Sequence, residues 1–449
     1  MATQGFDPKR PPDAELAPGV EDGFRLAAVG DCITSRPLAP QLERLPGFTS
    51  VIGLLRDASV AFGNLETSIF DVRRFAAYPR VVNDWGLVST PEVADDLAAL
   101  GFSIMSRANN HAMDWGIEGM RETGRRIDEA NIVHAGTGET LSSASAPRYL
   151  ETPHGRVGLV SLYTTHAWDQ DSALDQFREV PGKPGVNTLR VTRVVEAPES
   201  VVEGLRAIYR AMLPDSIPPP QLEMFDTRFI AGTETKVHYE PDAEDVARNL
   251  RNIRLGKQHS DFLVVSAHVH EDGADPDTPP DHIIAFARAA IDAGADVFVG
   301  HGVHRLWPVE IYRGRPILYG LGNFFWSDIQ EAVHGALYAN ARPRLKEVFR
   351  DPDTVTDADL NLMLNADDFA GGRFFESAVA EITSAGGRTE LRLHPIDLGY
   401  GEPLTRSGVP RSPETGFGEA VLKRIAAMSE LFGTTISIKD GIGLVGTGT

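Results

Sequence analysis

Apolar residues along this chain fall into short unbroken runs separated by amphipathic stretches. "FRLAAVGDCI" (24–33), "DASVAFGNLETSIF" (57–70), "RVGLVSLYT" (156–164), "DFLVVSAHVH" (261–270) and "ADVFVG" (295–300) read as strands buried on both faces. Between them, apolar positions recur with helical spacing. One helix starts after Thr90 with Pro91 at its first position, and a second runs from near Trp115 to about Asn131. "PDAEDVARNLRNIRLGKQ" (241–258) and "PPDHIIAFARAAIDAG" (279–294) are two more. Alternating buried strands and helices predict an α/β fold.

The rhythm breaks twice. Residues 166–255 hold Pro-rich loops around helical pieces and read as an insertion able to cap a site. Residues 352–372 are polar and read as a second insertion or lid. Further on, "FFESAVAEITSAGGRTELRLHPIDLG" reads as a β-hairpin around Ala-Gly-Gly. The expected organisation is a flexible arm over 1–23, one catalytic domain over 24–418, and a C-terminal helix (419–432) followed by a Gly-rich tail, together 419–449.

Composition narrows the chemistry. A net charge of −20 over 449 residues argues against nucleic acid and anionic membrane surfaces as partners and is compatible with divalent cations. The single cysteine, Cys32, excludes an intrachain disulfide. No run approaches the roughly 18 apolar residues of a membrane span. The expectation is a cytoplasmic protein without an integral membrane segment.

Five polar clusters share one position, the C-terminal end of a predicted strand: Gly30-Asp31, Asn64-Leu65-Glu66, Asn109-Asn110-His111, His268 with His270, and His301 with His304. Ligands of α/β sheets bind outside those ends. Each cluster has a plainer reading: Asp31 as a helix cap, Glu66 as an exposed charge, the Asn pair as a turn, His268 as a core histidine. Taken together they form a carboxylate, amide and imidazole set suited to a divalent ion of the Zn, Mn, Fe or Ni class.

"AVGDCI", "FGNLETSI", "NNHAMDWGIEGMRET", "HAGTG", "PGVNTLR", "VVSAHVHEDG" and "GHGVHRLWPVEIYRGRPILYGLGNFFW" resemble, in this order, the CapA group of poly-gamma-glutamate capsule biosynthesis proteins, which is similar to the calcineurin-like metallophosphatases. The resemblance implies a metallophosphatase-type four-layer α/β/β/α sandwich with insertions. It implies metal ligands at Asp31, Glu66, Asn110, His268, His301 and His304, with His111 as an outer acid or base. Ile33 stands where phosphatases carry a histidine, "HVHED" replaces a His-Trp-Gly-x-Glu motif, and "GHGVH" lacks a proline. These departures imply one tight metal site and a weak or absent second one.

The expected activity is that of a metal-dependent hydrolase or transferase on a peptide-like, glutamyl-type or other small anionic substrate, with His111 and His270 moving protons. A peptide epimerase exchanging a Cα proton is the alternative, a phosphoesterase the next, and a non-catalytic scaffold the last. Lys183, Asn187 and Arg190, in a loop of the first insertion, are the expected substrate contacts because cations and amide donors suit carboxylates.

Overall fold

The structure, a computed structural model, describes residues 19–80, 86–165, 171–214, 221–327, 333–385 and 388–446. Most of the expected N-terminal arm (1–18), the Gly-Gly turn of the hairpin (386–387) and the last three residues lie outside the described residues.

The first half of the chain alternates β1 (Arg25–Thr34), α1 (Pro46–Arg56), β2 (Val60–Leu65), α2 (Val93–Ala99), β3 (Ile104–Ser106), α3 (Gly116–Glu129) and β4 (Val133–Ala135). Nine of the ten residues of β1 are buried, as an unbroken apolar run between two neighbours requires. β1 to β4 lie side by side and parallel. α2 starts two residues later than Pro91 predicts, because Thr90–Glu92 make a turn first.

A second set follows: β5 (Gly155–Thr165), β6 (Thr188–Ala197), α4 (Ala243–Gln258), β7 (Phe262–His268), α5 (Asp281–Asp292), β8 (Val297–His301) and β9 (Arg315–Leu318). Their order in the sheet is β6-β5-β7-β8-β9, all parallel. α4 is capped by Asp242, whose carboxylate accepts from the N–H groups of Glu244 and Asp245. β10 (Asn323–Ser327) returns to the first sheet beside the C-terminal half of β1. β11 (Glu376–Ala385) and β12 (Arg388–Asp397) extend that sheet as the expected hairpin.

Among the described residues the two large sheets have nine and ten strands, and two further two-stranded pairs lie apart from them. The two large sheets face each other across one apolar cluster in which Leu26, Phe62 and Ala380 meet Leu159, Val264 and Val299. α1, α2 and α3 cover the outer face of the first sheet, where Ile52, Leu97 and Ile127 pack with Ala27 and Met105. α4 and α5 cover the second, where Ile253 and Phe286 pack with Val265 and Phe298. The chain is thus a mixed α/β protein with helices outside two packed sheets.

The C-terminal region departs from the expected tail. α6 (Thr415–Ser429) sends Val421, Leu422 and Ile425 into the central cluster. After it, β13 (Ile436–Lys439) and β14 (Ile442–Val445) form a hairpin whose β14 pairs with β12. Asp440 and Gly441, both at positive φ, make its two-residue turn. In the first insertion, the strands Thr227–Ala231 and Lys236–Pro241 pair with β6 and so widen the second sheet. No helix among the described residues is long and apolar enough to cross a membrane.

Candidate metal centre

β1, β2, β7 and β8 end at one level. Asp31 lies in register with Asn64 and Asn323, and His268 lies in register with His301. The strand order therefore turns five clusters distant in sequence into one site between the sheets. Two groups of ligand-type atoms result, each with its atoms within 4.8 Å of one another: Asp31, His268 and His301, all buried, and Glu66, His270 and His304, of which only Glu66 is buried.

Hydrogen bonds orient the rings of the inner group. Ser266 Oγ lies 2.6 Å from His301 Nε2 and holds that ring in place. Asn110 Oδ1, 2.8 Å from His268 Nε2, accepts its N–H and leaves a lone pair on His268 Nδ1. The two Nδ1 atoms are 2.8 Å apart, and Asp31 Oδ1 lies 3.9 and 3.7 Å from them. Asn64 Nδ2 faces the same group, 3.2 Å from His268 Nδ1 and 2.9 Å from Asp31 Oδ1.

Asn64 is held in one orientation by a chain that starts from the backbone. The His111 N–H donates to Asn109 Oδ1 (3.2 Å), so Asn109 Nδ2 donates to Asn64 Oδ1 (3.0 Å) and to the Leu65 carbonyl (2.8 Å). Asn64 Nδ2 must then face Asp31 Oδ1 at 2.9 Å and Glu66 Oε2 at 3.2 Å. The Gly302 N–H donates to Asp31 Oδ2 at 2.9 Å. Gly302 has φ +98°, and a Cβ there would come within 2.9 Å of the His268 ring, so glycine is required. His304, at φ 55°, is held by a bond from Nδ1 to Asn323 Oδ1 of 2.8 Å.

The two carboxyls are driven apart electrically. Burial pushes Asp31 up, but the hydrogen bond and charge of His304 outweigh it and hold Asp31 well below the usual range. Burial and the Asp31 charge push Glu66 well above it. Burial lowers His268 far below the ordinary imidazole value and takes His301 down to about 4, so both rings are neutral and fit to ligate.

Glu66 Oε1 is buried without a hydrogen-bond partner. It lies 3.6 Å from His268 Nε2, 3.9 Å from His304 Nε2 and 4.0 Å from His111 Nε2. The orphaned oxygen and the carboxylate and imidazole atoms gathered around it fit a cation.

His111 stands at the edge of this centre. Its Nδ1 lies 2.8 Å from the buried Asp114 carboxylate, which also accepts the Leu87 N–H at 2.9 Å. Asp114, Ser266 and Asn323 were not singled out from sequence, although His111 and Asp114 stand at the His-x-x-Asp spacing. His270, expected to move protons, lies inside the outer ligand group instead, 2.9 Å from His268 Nε2.

The structure does not bring the three expected substrate contacts into the cluster. Arg190 donates through Nε and Nη2 to Asp245 at 2.7 and 2.9 Å and reaches Asp242 at 3.3 Å. Asn187 is buried between the Ser161 carbonyl and Asn249 Oδ1. Lys183 Nζ donates to the Ser172 carbonyl. The cations that line the cleft at the centre are Arg305 and Arg373, beside Asp272, Asp367, Asp368, His270 and His304, around about 400 Å³.

The model of the bacterial capsule synthesis protein family PGA_cap matches residues 25–327. The chain belongs to that family. An uncharacterized protein of Sinorhizobium fredii, y4sH, is 43% identical over 446 residues, covering 96% of this chain and 94% of its own. The PGA biosynthesis protein CapA of Bacillus subtilis is 26% identical over 68% of this chain and 63% of its own. A probable polyglutamine synthesis accessory protein of Mycobacterium tuberculosis is 27% identical over 60% and 54%. Every residue of both ligand groups, and His111, lies inside the PGA_cap segment. Asp367, Asp368 and Arg373 lie beyond it, so the family match supplies the centre and the chain's C-terminal third supplies part of the cleft wall.

Proposed function

We propose that this PGA_cap protein is a metal-dependent hydrolase of metallophosphatase-type architecture acting on a peptide-like, glutamyl-type substrate. The convergence of Asp31, His268 and His301 ligand atoms in one buried group carries the reading. A buried carboxylate beside two imidazoles kept neutral by burial is the donor set of a divalent cation. The α/β/β/α layering and the ligands at strand ends support the architecture. The printed names of the capsule relatives support the glutamyl-type substrate.

Asp31, His268 and His301 would hold the tighter ion, and Glu66, His270, His304 and Asn110 a weaker one at the mouth. The borderline donor set suits Zn, Mn, Fe or Ni. Bound there, the metal supplies Lewis acidity toward a substrate carbonyl oxygen and toward water. His111 moves the proton: Asp114 accepts its Nδ1–H and leaves Nε2 turned toward Glu66, 4.0 Å from Oε1. His270 is committed to the ligand group, which leaves one proton-transfer base rather than the opposed pair an epimerase needs, and favours hydrolysis. The test is incubation of the metal-loaded protein with glutamyl peptides and with phosphoesters in D2O. The expected result is peptide cleavage with no deuterium at Cα in recovered substrate. Cα exchange without cleavage, or turnover of phosphoesters alone, overturns the reading.

A further inference from the structure

A second cavity of about 210 Å³ lies beside the centre, walled mainly by Trp326, Leu362, Phe369, Phe375, Tyr400 and Leu404, with Asn361, Glu402 and Ser407 also on its lining. It is not part of either ligand group, but one side chain joins the two. The Trp326 ring packs at 5.1 Å against His304 and at 4.5 Å against Phe374, which itself lines the catalytic cleft. An occupant of this cavity therefore sits one aromatic ring away from the metal centre.

The cavity is built by segments the sequence marked as irregular. Leu362 and Phe369 come from the second polar insertion, while Tyr400 and Leu404 come from the loop after β12. That loop is pinned to the first sheet. The Trp326 N–H donates to the Gly408 carbonyl at 2.9 Å, and the Gly408 N–H donates to the Leu398 carbonyl at 2.7 Å. Gly408 has φ +71°, and a Cβ on it would collide with the Trp326 carbonyl at 1.8 Å. The rim nevertheless leaves apolar side chains in water: Tyr400 is 57% exposed, Leu362 43% and Leu404 36%. An occupant that removes this apolar surface from water gains about 25 cal/mol per Å².

Size and lining define that occupant. Drug-sized ligands take roughly 300–1,000 Å³, so this cavity suits a single side chain. Its mostly aromatic and aliphatic walls suit an apolar side chain, and the Glu402 carboxylate on its lining disfavours a second carboxylate. We infer that this cavity is a side-chain subsite that accepts one aromatic or branched apolar residue of the peptide substrate beside the scissile position. The inference rests on the peptide reading above and adds to it that the substrate is not a uniform acidic polymer.

The test measures binding of N-acetyl-L-phenylalaninamide and N-acetyl-L-glutamyl amide to the full chain by titration calorimetry, without turnover. The phenylalanine probe is expected to bind at least about tenfold more tightly, and Leu362→Asp and Tyr400→Ala are each expected to weaken it about tenfold. Both positions are exposed at the rim, which favours retention of the fold, and unchanged circular dichroism and metal content verify it. Equal affinity for the two probes, or wild-type affinity in both variants, overturns the subsite. Because metal and turnover are not read in this assay, failure of the hydrolase reading is seen separately.

Discussion

Asn109→Ala removes the residue that fixes Asn64. Asn109 makes three buried bonds: it accepts from the His111 N–H and donates to Asn64 Oδ1 and to the Leu65 carbonyl. Its loss leaves three polar groups without those partners at a site Asn109 fully buries. An unsatisfied buried group costs about 1–3 kcal/mol, and relaxation recovers part of it, so a net loss of about 3 kcal/mol is expected. The Asn64 amide is then free to turn its oxygen toward Asp31 and Glu66, which are now faced by an N–H. Outer partners of metal ligands typically govern 10- to 100-fold in affinity, so the metal Kd is expected to rise by about that factor. Urea unfolding reads the first quantity, and competition with a chromogenic chelator reads the second. Lost stability with an unchanged metal Kd would show that the amide chain does not orient the ligands, and unchanged values of both would refute the bonding scheme itself.

Asp114→Asn should retain metal while lowering kcat by about 10²–10⁴-fold, because His111 loses its charge partner and its tautomer; steady-state kinetics with elemental analysis checks both. Arg190→Ala should lower stability by about 1–3 kcal/mol in urea unfolding and leave KM unchanged, because its fork serves Asp245. Binding of an ion at the outer group should release a proton at a pH below the raised value of Glu66, since burial and the Asp31 charge keep Glu66 protonated there in the metal-free protein and a cation displaces that proton. Calorimetry in two buffers of different ionisation enthalpy measures that proton, and equal heats would contradict it.

The convergence of the candidate ligand groups was legible because each residue sits at the end of an apolar run, and strand ends of a parallel α/β sheet converge by topology. Positions at sequence separations above 200, such as Asp31 and His268, met because both runs are strands. What sequence could not supply was the partner of each polar group. Arg190 reads as a free cation in an acidic chain until α4 brings Asp245 to it across 55 positions. His270 reads as a spare base until Asn110 and His268 surround it. Asn64 and Asn109 were seen as cluster members, but their relay is a property of three dimensions. The closing hairpin was missed for a different reason. Its strands are only four residues long and one of them holds a glycine, Gly443, although Asp440-Gly441 between alternating Ile436, Ile438, Ile442 and Leu444 is a hairpin signal.

The central claim is that Asp31, His268 and His301 hold a metal ion. Elemental analysis of wild-type protein and of His301→Ala, both purified without added metal, addresses it directly. The account predicts about one tightly held divalent ion per chain in the wild type and its loss in His301→Ala. Full metal content in the variant, or a wild type that takes up no ion when one is supplied, would contradict it.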